Sequence, residues 1–71
     1  MLNPIYISEI WNRSWMLRTL GEIELVNGKY EIRFENPLEL NGGKEYRIEI
    51  PRDRVKFNGK LSKDRSRIIS V

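Results

Sequence analysis

Two sets of side chains in this 71-residue chain are spaced so that they could do chemistry: a run of cations and a pair of tryptophans. In residues 51–71 Arg52, Arg54, Lys56, Lys60, Lys63, Arg65 and Arg67 stand against only Asp53 and Asp64, a net of +5. Residues 1–50 hold eight Glu against six Lys and Arg, a net of −2. So one-sided a charge distribution makes a long-range field that draws in polyanions. Trp11 and Trp15 flank the polar turn Asn12-Arg13-Ser14, with Arg18 close by in sequence. Large rings beside arginines form a surface on which nucleic-acid bases stack. Both sets also have a plain structural use, the cations as a solvated face and the tryptophans as a cover over the end of a core.

Catalysis has little to work with. There is no His and no Cys, so the usual general base at neutral pH, the thiolate nucleophile and the ordinary zinc site are all missing. The glutamates fall mostly on alternate positions of extended segments, as at Glu31, Glu45 and Glu49, where solvent should keep them ordinary. Asp53 and Asp64 lie in basic surroundings and are expected to neutralise an Arg neighbour, since carboxylate metal sites need several acids converging. Gly42-Gly43-Lys44 lacks the second glycine and the Ser or Thr of a phosphate loop and reads as a tight turn. No catalytic residue, metal ligand set or cofactor is expected.

The elements that must position these groups read as strands. Asn27-Gly28, Asn41-Gly42-Gly43 and Asn58-Gly59 are tight-turn signatures, because Asn and Gly tolerate the positive φ that such turns need, and three hairpins are expected around them. Tyr30, Ile32 and Phe34 alternate with charged residues, as do Tyr46, Ile48 and Ile50, which puts each set on one buried face. Ile23 and Leu25 supply the strand before the first Asn-Gly, and Val55 and Phe57 face Leu61 across the last. Between Ser8 and Leu20 the apolar residues spread around a whole helical circumference, so two strands over 4–11 and 15–20 are favoured over a short helix under a barrel mouth. Residues 62–66 are polar and suit one helical turn before a last strand at 67–71.

Six or seven short strands in a chain this short point to one all-β domain over residues 1–71, a small SH3-like or OB-like barrel with no visible internal repeat. With no cysteine to make a disulfide, its stability must come from packing nine Ile, seven Leu and the aromatics. No apolar run is long enough for a membrane span or a secretion signal, and a cytoplasmic location is expected. Abundant Ile, Glu, Lys and Arg without Cys or Gln leans toward the composition of heat-adapted proteins, although six Asn pull the other way.

One family resemblance lies in residues 22–50. Glu-Ile-Glu-Leu-Val-Asn-Gly-Lys-Tyr, then Asn36-Pro37-Leu38-Glu39-Leu40, then Gly43-Lys44-Glu45-Tyr46-Arg47-Ile48-Glu49-Ile50 resembles the short β-rich antitoxins of archaea and bacteria. The chain departs from that pattern by inserting Glu31 to Glu35 and by its basic last third. The resemblance implies a protein partner, a toxin. The residues themselves point to a non-catalytic nucleic-acid-binding barrel using Arg52, Arg54, Lys56, Lys60, Lys63, Arg65 and Arg67 with Trp11, Arg13, Trp15 and Arg18; the alternative is a protein-interaction module for an acidic partner.

Overall fold

The computed structural model describes residues 2–71. It contains β1 (Asn3–Ser8), β2 (Leu17–Val26), β3 (Lys29–Phe34), β4 (Glu45–Ile50), β5 (Val55–Leu61) and β6 (Arg67–Ser70), with a 3-10 turn over Pro51–Asp53. The strands follow one another around a closed barrel in the order β1-β2-β3-β6-β5-β4, every neighbour antiparallel, and β4 pairs with β1 to complete the ring. The all-β class and the small barrel expected from the alternation are therefore what the chain adopts. β4 lies beside β1 in the order β4-β1-β2-β3, a Greek key, the connectivity found in OB barrels.

The barrel interior follows from period-two alternation. Ile5 and Ile7 of β1, Ile32 and Phe34 of β3, Tyr46, Ile48 and Ile50 of β4, Leu61 of β5 and Ile68 of β6 are buried together. Leu38, from the connection between β3 and β4, is the remaining buried apolar side chain and plugs one mouth. Its N–H donates to the Arg65 carbonyl at 2.8 Å, which ties the crossover to the β5–β6 turn. Phe57 and Tyr30, expected in the core, are half-buried and stack on each other with centroids 5.2 Å apart.

Several expectations need correcting. Only Asn27-Gly28 makes a two-residue hairpin; φ is 51° and 80° there, the pair of positive angles of a type I′ turn. Asn41-Gly42-Gly43 is a turn leading into β4, with Gly43 at φ 84° and the Lys44 N–H donating to the Asn41 carbonyl, but no strand precedes it. Asn58-Gly59 is not a turn at all. It lies inside β5, which runs unbroken from Val55 to Leu61, so Val55 and Phe57 share a strand with Leu61 rather than facing it. Gly59 faces inward opposite Tyr46, and a Cβ there would collide with the Ile68 side chain, so this glycine serves close packing.

The reversal between β4 and β5 is made instead by Pro51–Asp53 and Arg54, whose backbone is left-handed at φ 55° and whose N–H donates to the Pro51 carbonyl. Residues 62–66 form a turn, not a helical one, because Arg65 is left-handed at φ 64°. Between Ser8 and Leu20 there is no helix, but the strands end sooner and start later than expected: β1 stops at Ser8, residues 9–16 form a loop, and β2 continues through Gly21 to Val26. Glu31 points outward as expected yet is only 9% exposed, since Arg33 and Arg67 close over it at 3.3 and 3.2 Å.

The registers also reveal a repeat that the sequence conceals. A two-fold axis through the pairs Tyr6↔Glu49 and Ile32↔Ile68 carries β1-β2-β3 onto β4-β5-β6. Ile5 then corresponds to Ile48, Ile7 to Ile50, Leu17 to Val55, Gly21 to Gly59 and Ile23 to Leu61. Gly21 plays the part of Gly59: a Cβ on it would lie 2.9 Å from Ile5 Cδ1 and 2.9 Å from the Arg33 carbonyl.

Ile48→Ala removes a fully buried side chain from the middle of this core and is expected to cost roughly 2–5 kcal/mol in urea unfolding, a large share of the stability of so small a domain. Gly59→Ala is expected to cost about 1–3 kcal/mol by overpacking against Ile68. Wild-type midpoints for either variant would contradict the barrel interior described above.

Candidate nucleic-acid interface

Strand directions sort the connections between the two ends of the barrel. β1, β3 and β5 end at one mouth, which therefore carries the 9–16 loop, the 35–44 crossover and the 62–66 turn. The opposite mouth carries the Asn27-Gly28 hairpin, the Pro51–Asp53 turn and Val71.

The first mouth holds the aromatic candidates. Trp11 is 97% exposed and Trp15 39%, with exposed Arg13 between them. The loop bends there because Asn12 Oδ1 accepts from the Ser14 N–H at 3.1 Å and from the Ser14 hydroxyl at 2.6 Å, a local turn that Asn forms readily. Trp11 does not cover the barrel end, a task that falls to Leu38. Arg18 stands on the outer wall at the start of β2, its guanidinium 5.7 Å from the centre of the Tyr6 ring.

The seven cations of the last third do not form one stripe. Arg52 and Arg54 sit at the far mouth, in or beside the 3-10 turn rather than on a strand, so they share no strand face with Lys56. Lys56 and Lys60 point outward from β5 across from Glu49 and Glu45 of β4, and Glu49 is itself held by Arg47 at 3.4 Å. Arg67 is bound to Glu31. Lys63 and Arg65 belong to the 62–66 turn and so share the mouth of Trp11, Arg13 and Trp15.

The 62–66 turn is held by a small carboxylate knot. The Arg65 N–H donates to the Ser62 carbonyl at 2.9 Å, while Asp64 accepts from the hydroxyls of Ser62 and Ser66 at 2.6 and 2.7 Å and from the Ser66 N–H at 3.1 Å. These bonds, the Ser62 hydroxyl foremost, hold the Asp64 carboxyl down at about 2. Arg67 was the expected kind of neighbour for Asp64, but its charge contributes least among the stabilising contacts; the serines do most of the work because they touch the oxygen directly.

Other residues at these surfaces escaped the sequence reading. Lys44 joins the first mouth, its Nζ 3.1 Å from Glu9 and 5.6 Å from the Tyr46 ring centre. Met16, 55% exposed, follows Trp15 at the end of the loop, and Leu20, 52% exposed, adds apolar surface on the outer wall of β2. Lys29 comes together with Lys60 and Lys63 around a groove of about 750 Å³ that Ile69 and Val71 also line. Nothing in the spacing signals these meetings, since they depend on which strands become neighbours. Among the described residues no three His, Cys, Asp or Glu gather to hold a metal ion, and no helix is long and apolar enough to cross a membrane.

The Asp64 knot has a pH signature. Its carboxyl titrates lower folded than the ordinary value of 3.8, so its contribution to stability is present above that value and is lost as pH falls toward about 2. Asp64→Asn is expected to flatten the acid limb of a thermal-stability profile between about pH 4 and 2 and to lower the melting temperature at pH 7; an unchanged acid limb would remove the knot from the account. Comparison with protein-family models, with curated proteins and with solved structures finds no match for this chain.

Proposed function

We propose that this barrel binds single-stranded nucleic acid without catalysis, at the mouth formed by the 9–16 loop and the 62–66 turn, in a cytoplasmic setting. The observation that carries the reading is Trp11, 97% exposed on a barrel whose interior is already filled by other side chains. An indole held in water contributes nothing to the core and offers a flat face to a partner. Bases stack on such faces, and arginines beside them neutralise the phosphates between. Arg13, Lys63 and Arg65 stand at the same mouth, and among the described residues no carboxylate lies within ion-pair distance of any of them. Arg65 adds a second hint, because an arginine in the left-handed conformation occupies a position where glycine would be unstrained.

A second reading, the antitoxin-like protein module, is favoured by Met16 and Leu20. Their exposed aliphatic surface suits a protein partner better than a chain of bases.

The two tryptophans provide the measurement. Titrating an oligothymidylate into the protein at low salt should quench their emission, and the log of the affinity should fall against log salt with a slope near −0.7 per phosphate contacted, about −2 for three cations. Trp11→Ala should weaken binding by about 1–3 kcal/mol. Reversal of Arg13 and Lys63 to Glu should abolish it, whereas reversal of Arg52 and Arg54 at the far mouth should change it little. Absence of quenching at micromolar protein and low salt would discard this reading in favour of the protein module.

A further inference from the structure

The outer wall has one open place. β2 pairs with β1 along Leu17 to Gly21, but its ladder to β3 begins only at Gly21↔Phe34. Beyond Phe34 the chain turns away from β2 toward the β5–β6 turn, where the Phe34 N–H donates to the Ser66 carbonyl at 3.0 Å and the Leu38 N–H to Arg65. A groove of about 500 Å³ opens between the first turns of β2 and the crossover, lined by Leu17 to Leu20 on one side and Phe34 to Glu39 on the other.

Strand geometry says which groups face it. Tyr30 and Phe34 direct their N–H groups to the β6 side, so Lys29, Glu31 and Arg33 bond to β2, and their partners Val26, Glu24 and Glu22 bond to β3. Continuing that alternation, Arg18 and Leu20 turn their N–H and C=O groups into the groove. No hydrogen bond among the described residues joins residues 17–20 to residues 35–39. The pseudo-two-fold mate of this place shows what belongs there. Leu20 corresponds to Asn58 and Glu35 to Val71, and in the second half the Val71 N–H does donate to the Asn58 carbonyl, at 2.9 Å. The same strand position is filled by extended chain in one half and left empty in the other.

We infer that this edge of β2 is a docking site for an extended peptide segment of a partner protein, added as a strand through the Arg18 and Leu20 main-chain groups. Alternate side chains of the segment meet the two faces. Those facing inward lie toward Leu17, Phe34 and Leu38, and those facing outward lie between Leu20 and the carboxylates Glu35 and Glu39, with the Arg18 guanidinium drawn toward the Tyr6 ring on β1. The matching partner therefore alternates apolar residues with Lys or Arg. This site opens on the outer wall next to the proposed nucleic-acid mouth, but it uses main-chain groups of β2 and none of Trp11, Arg13, Lys63 or Arg65, so it does not depend on that reading.

The test uses the full chain, isotope-labelled, and an eight-residue alternating Val-Lys peptide as probe. In the free protein the Arg18 and Leu20 amides should exchange with solvent quickly while Leu17 and Thr19, bonded to β1, exchange slowly. At nine-tenths saturation with the peptide the first two should slow about tenfold, the free fraction that remains. Glu35→Lys with Glu39→Lys should weaken the peptide about tenfold or more. Leu20→Pro, which deletes an N–H that bonds nothing in the free barrel, should abolish peptide binding while the melting temperature stays near wild type. Slow exchange of Arg18 and Leu20 in the free protein, absence of any shift at millimolar peptide, shifts confined to another surface, protection by an oligonucleotide in place of the peptide, or protection that grows with protein concentration alone would each overturn the proposal; the last would make the occupant a second copy of this chain.

Discussion

Closing six short strands into a ring leaves very little room inside, and the rest of this structure depends on how that room is shared. The interior is filled by isoleucines from four strands, one leucine from β5 and the ring of Tyr46, whose hydroxyl accepts from the Asn41 N–H at 3.0 Å. Two inward positions, Gly21 on β2 and Gly59 on β5, carry no side chain because their neighbours already occupy the space. They stand at equivalent places in the two halves of the barrel. The longest strands, β2 with ten residues and β5 with seven, are the ones that carry these glycines. Close approach at those points lets each strand curve around the core without breaking its ladders.

Because the strands fill most of the interior, the connections at the mouths carry few packing duties, chiefly those of Leu38 and half-buried Leu40 in the crossover. That freedom is where the candidate chemistry sits. The 9–16 loop is shaped by the Asn12–Ser14 bonds and the Glu9–Lys44 ion pair, and it keeps the Trp11 ring in water. The 62–66 turn is fastened by Asp64 and two serines, leaving Lys63 and Arg65 outside the knot. Charges on the walls are treated differently. There the cross-strand geometry sets Lys56 across from Glu49, Lys60 across from Glu45 and Arg67 on Glu31, so the wall carries both signs, although Lys60 also meets Lys29 and Lys63 around one groove.

The diversion of the chain after Phe34 joins these two themes. By turning to bond Ser66, the crossover carries Leu38 over the mouth and fastens the 62–66 turn, and in doing so it abandons the edge of β2. One backbone path thus seals the core and opens a strand edge. Exposed edges invite pairing with other chains unless they are short or flanked by charge. This one is short and flanked by Arg18 on the strand and by Glu35 and Glu39 across the groove, which guards it against indiscriminate pairing and leaves it to a segment of matching charge.

How much was legible in the sequence depends on the range of the interaction concerned. Tyr46, Ile48 and Ile50 announced a buried strand face because alternation is read over a few residues, and Asn27-Gly28 announced a hairpin because two positive φ angles are a local demand. Asn58-Gly59 has the same spelling and a different outcome: its glycine answers to Ile68 and Tyr46, which are distant in sequence and near only after the barrel closes. Glu31 looked like any outward glutamate until Arg67 arrived from β6 beside it. The exposed Trp11 and Arg13 were visible as candidates, since they sit within one loop, whereas the sorting of the cations between two mouths and a wall was not. By itself the sequence determined most of the strand-forming segments, most of the inward residues and the absence of histidine and thiol chemistry, all of which are local or compositional. Only the tertiary structure decided which strands became neighbours, and with that which charges offset one another and which edge stayed open, because those contacts exist only once the ring is closed.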